Sequence, residues 1–505
     1  MLSALTKRAS GVLLHPTSLP GPHGSGDLGV EARRFVDFLV RSEQSYWQML
    51  PVGPPGYGSS PYSAESAFAG SPLLVDLDRL AREGLLPGGI RDASLRTERC
   101  DFAAATAFRE EHLREAFSVF RHDDARMAEL DRFSKKNRAW LDDFALFRAL
   151  KRQHGGVEWT KWDADLRRRD AAALALARRA HADEIAYARF EQYQFERSWA
   201  ELHAYAGERG ISLIGDLPIF VAHDSADVWQ SPRLFQLDYE GMPTVVAGVP
   251  PDYFSVTGQR WGNPLYRWKV MKADGYGWWL DRFRMILSRF DAVRLDHFIG
   301  FQRYWEIPAH LPTAASGRWM KGPSSDFFRA VKKKFGGLPL VAEDLGAVTP
   351  AVKALRDEFE LPGIKILQFA FGEDPSAPDF LPHNYARRAV VYPGTHDNDT
   401  TCGWFRALGE RERASALRYL GSDGREVHWD MIRMAFLSVA DTAIVSLQDL
   451  LGLGTEARMN TPATSQGNWE WRFQDGDFAS DLGERLRVLT RTYGRSNAKN
   501  QRGDS

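Results

Sequence analysis

Three segments of the chain each end an apolar run on an acidic residue: Ala292-Val293-Arg294-Leu295-Asp296, Leu340-Val341-Ala342-Glu343, and Ala389-Val390-Val391-Tyr392 followed by Thr395-His396-Asp397. A run of Val, Ile and Leu without polar alternation suits a strand buried on both faces. A carboxylate at the C-terminal end of such a strand lies where parallel barrels place their chemistry. Cleaving a glycosidic bond with retention needs one ionised carboxylate to attack and one protonated carboxyl group to release the leaving oxygen. Three acids converging on one mouth are expensive to arrange for packing alone, so the pattern points to an enzyme acting on glycosidic bonds.

The neighbours of these acids bear on their protonation. Residues two apart on a strand share a face, so Arg294 points into the same mouth as Asp296, where its cation favours the charged carboxylate. An ordinary buried ion pair is the competing reading of that segment alone. Glu343 must hold a proton at neutral pH, which calls for burial or nearby negative charge. Asp344 falls on the opposite face if the strand continues, and reads as structural. Asp216, at the end of Ile211 to Pro218, is a fourth acid on the rim, although an Asp before Leu217-Pro218 is also a common turn residue. His297 either donates to a sugar hydroxyl or caps the next helix, and His396, Asn398 and Asp399 belong either to a site or to a plain polar turn.

Eight apolar runs can serve as the strands that position these groups: Gly11 to His15, Tyr46 to Pro51, Ile211 to Pro218, Ala292 to Asp296, Leu340 to Glu343, Ile364 to Ala370, Ala389 to Tyr392 and Thr442 to Leu447. Helical patterns lie between them, and eight is the count of a (β/α)8 TIM barrel with large insertions. The insertion at 57–210 is rich in Ala, Arg, Glu and Leu, with helical apolar spacing at Trp140, Phe144, Phe147 and Leu150. The insertion at 221–279 is rich in Gly, Pro and aromatic residues and is expected to be loops covering a site. A shorter excursion runs from Gly300 to Pro323. Too little chain follows the eighth strand for a C-terminal β-sandwich, so residues 1–505 read as one catalytic barrel domain with a polar tail at 495–505.

Bulk properties narrow the partners. The chain of 505 residues is 44% hydrophobic and 26% charged, with a net charge of -1, which gives no global field for nucleic acid or an anionic membrane. The start lacks the apolar core of a secretory signal and no stretch suits a membrane span, so a cytoplasmic protein is expected. Cys100 and Cys402 are the two cysteines, too few for a disulfide framework or a thiolate metal cluster. With no His-Glu-x-x-His spacing and no phosphate-cradling glycine loop, neither metal nor cofactor is expected. The 12% of aromatic residues mostly suit a core, and the remainder suit the C–H faces of sugar rings.

The segments Gly11-Val12-Leu13-Leu14-His15-Pro16-Thr17-Ser18-Leu19-Pro20, Pro250-Pro251-Asp252-Tyr253-Phe254-Ser255, Gly258-Gln259-Arg260-Trp261-Gly262-Asn263-Pro264, Ala342-Glu343-Asp344-Leu345-Gly346 and Gly394-Thr395-His396-Asp397-Asn398-Asp399-Thr400 closely resemble the amylomaltases, the 4-α-glucanotransferases of glycoside hydrolase family 77. The resemblance runs from near residue 11 to near 472. It implies a barrel related to α-amylases without their C-terminal β domain, acting on α-1,4-glucans by double displacement. Asp296 is then the nucleophile, Glu343 the general acid/base and Asp397 the transition-state stabiliser. It also implies a loop arching over the glucan, carrying Tyr253, Phe254, Gln259, Trp261 and Asn263. Sugar-binding parts follow for Arg294, Asp216, His297 and His396, for Tyr57, Ser60 and Tyr62 in the turn after the second strand, and for Asn468 and Trp469 in the last site loop. Ser63, Glu65 and Ala463 depart from the family pattern.

The expected partners are an α-1,4-glucan donor and an acceptor such as a maltooligosaccharide, amylose or glucose. Transfer and hydrolysis share one glycosyl-enzyme intermediate, so an amylase-type hydrolase on the same barrel is the alternative. A silent glucan-binding protein has no use for a nucleophile and a separate acid.

Overall fold

In the computed structural model, which describes residues 5, 7–95, 97–251, 255–474 and 480–496, the eight apolar runs pair side by side and all parallel into a closed barrel. In chain order the strands are β1 (Ala9–Leu13), β2 (Tyr46–Gln48), β3 (Ser212–Leu217), β4 (Val245–Val249), β5 (Gln259–Pro264), β6 (Ala292–Leu295), β7 (Arg303–Pro308), β8 (Arg318–Lys321), β9 (Leu340–Ala342), β10 (Gly363–Ile366), β11 (Ala389–Tyr392) and β12 (Thr442–Ser446). The barrel runs β1-β2-β3-β6-β9-β10-β11-β12, with β12 closing on β1. β1, β6, β9 and β11 are buried at every residue, as strands covered by helices outside and side chains inside must be. The sixth run stops short of its expected end: after Ile366 the chain turns into a 3-10 helix, Leu367–Phe371. At Gly215 in β3 a β-carbon would lie 2.5 Å from the Phe290 ring, so glycine is what lets the strand pack against Phe290 at the residue before Asp216.

Between β2 and β3 stands a helical block dominated by Phe102–Phe120, Asp124–Gln153 and Ala182–Glu208. Asp101 and Asp123 cap the first two, their carboxylates accepting the N–H groups of Ala104 and of Ala125 and Arg126. Trp140, Phe144, Phe147 and Leu150, spaced one helical turn apart, are all buried in the core of this block. The last helix returns to the barrel wall, where the Trp199 indole N–H donates to the Arg289 carbonyl at 3.1 Å.

The stretch expected to be loops carries β4 and β5, and these join β7 and β8 in a four-stranded antiparallel sheet of order β5-β4-β7-β8. Val245, Val246 and Ala247 lie opposite Pro308, Ile307 and Glu306, so the two central strands pair across segments far apart in the chain, while β5 and β8 pair with their near neighbours β4 and β7. β5, an edge strand, brings Gln259, Trp261 and Asn263 toward the barrel rim.

The chain end also departs from expectation. Arg495 is no part of a free polar tail: it is fully buried at the barrel base. Its guanidinium donates to the carbonyls of Phe436 (2.9 Å), Ala9 (2.9 Å) and Ala440 (2.9 Å). Arg8 donates beside it to the carbonyls of Ser438 and Phe436, each at 2.8 Å, and of Tyr493 at 2.8 Å. Five delocalised N–H donors let arginine be buried against carbonyl oxygens, with the Asp441 charge nearby supporting both cations. The expected tail beyond residue 496 lies outside the described residues.

Candidate active site

β3, β6 and β9 are neighbours, and their C-terminal ends open onto one cleft. Asp216 in β3 lies opposite Arg294 in β6, and the Arg294 Nη1 donates to Asp216 Oδ2 at 2.7 Å while lying 2.9 Å from Asp296 Oδ1. One guanidinium thus serves two carboxylates. Burial pushes the Asp296 carboxyl above its usual range, Arg294 opposes the shift, and the charge of Asp397 adds to it. Arg294 therefore restrains Asp296 from protonation but does not depress its affinity below the ordinary value, because burial outweighs it. Asp216, whose side chain is wholly enclosed, is pushed up to about 7 by burial, again against Arg294. It lies behind the cleft surface, accepting also from the Tyr62 hydroxyl at 2.9 Å.

Glu343 follows β9 directly, and its backbone N–H donates to Leu295 of β6 at 3.1 Å, which fixes it next to Asp296. Its Oε2 accepts the His297 N–H at 2.7 Å and its Oε1 the Leu345 N–H at 3.2 Å. His297 has a left-handed backbone, φ +50°, uncommon for a residue with a side chain. Despite those two donors, burial and the charge of Asp296 push Glu343 up to about 8, with Arg294 opposing. Asp344 turns away as expected, paired with Arg356 at 2.6 Å and accepting the Ile364 N–H at 2.9 Å.

Asp397 faces this pair from the turn after β11. Asn398 shapes the turn, its Oδ1 accepting from both the N–H and the hydroxyl of Thr395 at 2.9 Å. Burial raises the proton affinity of Asp397, but His396, a hydrogen bond from Asn460, Arg294 and Arg458 outweigh it, leaving the carboxyl below its usual range. The Asn460 Nδ2 donates to Asp397 Oδ1 at 2.6 Å, and Arg458 donates to the Asp397 carbonyl at 2.8 Å. Sequence reasoning missed both residues; an Asn before Thr461-Pro462 after the last strand was the available signal. His396, pushed down to about 4 by burial, is neutral at pH 7, with its Nε2 2.8 Å from the Tyr62 hydroxyl and its ring stacked on Tyr62 at 5.3 Å.

Aromatic rings frame the cleft. Trp469 lies 5.7 Å from Tyr62, and Trp261 meets His297 edge to face at 4.8 Å. Among the described residues the His297 Nε2 is buried with no partner, and its ring is pushed down to about 4 by burial, so it caps none of the described helices and holds a polar atom beside Trp261. The Trp261 indole donates to Gln259 Oε1 at 3.2 Å. Tyr57 stands out on the rim, 83% exposed, and a groove of about 820 Å³ runs from Tyr57 and Trp261 to Glu65, Arg148 and Glu191 of the helical block.

Other expected residues spend their side chains on the scaffold. Ser60 accepts the Tyr62 N–H, Asn263 donates to the Val221 carbonyl, and Asn468 closes its loop onto Thr461 and Thr464. Tyr253 and Phe254 lie outside the described residues. Glu65 pairs with Arg148, tying the rim to the helical block, and Ala463 sits at φ +66°, a conformation that glycine adopts without strain.

The comparisons with known proteins agree along the chain. Residues 14–478 match the glycoside hydrolase family 77 model described as 4-alpha-glucanotransferase. A 4-alpha-glucanotransferase of Thermus thermophilus is 50% identical over 493 residues, covering 95% of this chain and 98% of that protein. Another from Synechocystis sp. is 49% identical over 499 residues, covering 97% and 99%. The structure of amylomaltase from Streptococcus agalactiae in complex with acarbose superposes with a TM-score of 0.93 at 38% identity, covering 97% of this chain and 100% of that one. A closed parallel barrel, acids at adjacent strand ends and this likeness along nearly the full length have one reading: the chain belongs to the 4-alpha-glucanotransferases of glycoside hydrolase family 77.

Proposed function

We propose that the protein is a 4-α-glucanotransferase that moves segments of α-1,4-glucan between maltooligosaccharide or starch-type chains by a retaining double displacement. The observation that carries the reading is the divergence of proton affinity around one cleft: Glu343 is pushed up to about 8, whereas Asp397 is held below the usual carboxylate range. Groups pushed apart in this way take different parts at one pH: Glu343 carries the proton the leaving oxygen needs, while Asp397 stays ionised to face the sugar.

In the first step an Asp296 oxygen attacks the anomeric carbon, the bond to the leaving O4 breaks, and Glu343 gives its proton to that oxygen. In the second, Glu343 takes a proton from the 4-hydroxyl of an acceptor glucan or glucose, which attacks the same carbon and releases Asp296. Asp397 accepts from sugar hydroxyls as the ring flattens toward the oxocarbenium-like transition state. Arg294 limits the proton affinity of the nucleophile, and Asp216 holds Arg294. Tyr62, Trp261 and Trp469 offer sugar platforms, His297 and His396 serve as polar contacts of the cleft, and Tyr57 and Gln259 belong to its rim. A cleft covered by aromatic side chains excludes water and favours a sugar acceptor over hydrolysis.

Attack by the chain's own end would give cycloamylose. Among the described residues no helix is long and apolar enough to cross a membrane, and we place the enzyme in the cytoplasm. The test is incubation with maltotriose, following products by chromatography and reducing ends by titration. A ladder of longer oligosaccharides plus glucose at constant reducing ends supports transfer. Rising reducing ends would replace it with hydrolysis, and no conversion of maltotriose or longer glucans would overturn the catalytic reading.

A further inference from the structure

We propose that Asn460 is a positioning residue for Asp397: its side-chain amide fixes the carboxylate in the orientation that meets the sugar, and the loop neck from Met459 to Trp469 exists to hold that amide in place. The proposal rests on the reading of Asp397 as a sugar-contacting acid.

Two backbone bonds pin Asn460, and a third ties its neighbour Arg458 to Asp397. The Asn460 backbone N–H donates to the His396 carbonyl at 3.0 Å, its carbonyl accepts from Arg458 Nε at 2.8 Å, and Arg458 in turn reaches the Asp397 carbonyl at 2.8 Å. With the backbone fixed on both sides of Asp397, the amide Nδ2 is left to donate to Asp397 Oδ1 at 2.6 Å. The neck is closed by the Trp469 N–H on the Met459 carbonyl at 2.7 Å and by the Thr461 N–H on Asn468 Oδ1 at 2.8 Å, while residues 461–467 beyond it are all exposed. One closed neck therefore carries both the amide that holds the acid and Trp469, whose ring lies 6.1 Å from His396. A carboxylate held by one neutral donor keeps its remaining lone pairs for sugar hydroxyls, whereas a cation in the same place would compete for them.

The charged and titratable groups facing Asp397 are His396 on its own turn at 3.4 Å, Arg294 and Asp296 from β6, Tyr62 from the turn after β2 and Arg458 beside Asn460. Against that fixed background, changing residue 460 isolates the amide.

The experiment compares Asn460→Ala, Asn460→Ser and Asn460→Asp with Asp397→Asn on maltotriose across pH 5 to 9, with melting curves for each. Asn460→Ala should lower kcat about 10- to 100-fold with KM within about threefold. Asn460→Ser, which keeps a short donor, should recover part of the loss. Asn460→Asp should be slower than Asn460→Ala above pH 7, where two carboxylates face each other. It should gain activity as pH falls and a proton bridges the pair. The same pH-independent loss in all three variants would mean a merely structural residue and overturn the proposal. Normal turnover in Asn460→Ala beside a dead Asp397→Asn would overturn it too. An active Asp397→Asn would instead remove the reading beneath it. Should Asn460→Ala fail to melt cooperatively, the contrast between Asn460→Ser and Asn460→Asp decides.

Discussion

Replacing Arg294 with Gln would separate the cation's electrostatic part from its packing. Its Nη1 lies 2.7 Å from Asp216 Oδ2 and 2.9 Å from Asp296 Oδ1, with the Arg294 side chain 5% exposed. An opposite charge at such range lowers a carboxyl pKa by about 1 to 3 units. Removing it therefore raises Asp296 further from a level that burial has already lifted. Asp296 must be ionised to attack, so the acid limb of the kcat/KM profile should move to higher pH by about 1 to 3 units. Below that limb the rate falls about tenfold per unit, and part of it returns on raising the pH. Taking one member from a buried charge cluster also costs about 3 to 5 kcal/mol of stability near neutral pH, less in acid, where the stranded carboxyls take up protons. The assay is maltotriose disproportionation from pH 5 to 9, with melting curves at the same pH values. An Arg294→Gln enzyme whose acid limb coincides with the parent's, or one melting as late as the parent at pH 7, would refute this account.

The remaining predictions concern protons and packing. Glu343→Gln should lower transfer by about 10² to 10⁴ with the fold kept, and a donor whose leaving group needs no proton should recover the first step; near-normal turnover of maltotriose would reject Glu343 as the acid. Asp216 binds its proton more tightly in the folded chain, up to about 7, so it adds stability at low pH that is lost as pH rises from about 4 through 7. Asp216→Asn should consequently gain roughly 1 to 4 kcal/mol relative to the parent between pH 4 and 8, and parallel stability curves would contradict the shift. Arg495→Ala takes a donor from each of the buried carbonyls of Ala9, Phe436 and Ala440, the Phe436 carbonyl keeping Arg8, and should cost about 2 to 4 kcal/mol in denaturant melts while leaving KM for maltotriose unchanged.

What the sequence displayed was whatever is written locally. The barrel strands were legible because a strand buried on both faces is a continuous apolar run, Asp296 and Glu343 because each closes such a run, and Asp397 because it lies in the turn just past one. β4, β5, β7 and β8 were not, since the central pair, such as Val246 and Ile307, is settled by packing between segments far apart, and the edge strands β5 and β8 form only on those two. Asn460 was one amide among loop residues, and only the turn after β11, brought beside it by the fold, gives it a partner. Arg495 misled for the opposite reason: a polar residue in a polar stretch reads as solvent-facing until the carbonyls that enclose it are known. The shared guanidinium was half legible, because strand spacing showed Arg294 beside Asp296 but not Asp216 across the sheet.

The closure of β12 on β1 bears on how the enzyme is made. Ala9 to Leu13 find their partners in Thr442 to Ser446, made long after them, and the Ala9 carbonyl waits further still for Arg495. Until β12 is made, one flank of β1 is an unsatisfied, largely apolar template, the kind of edge that pairs with other chains. Ordering cannot be completed from the N-terminus onward; the nascent barrel stays open until its last hydrogen-bonded residues emerge. Yield in a host should accordingly depend more on what shields that edge during translation than on how stable the finished barrel is.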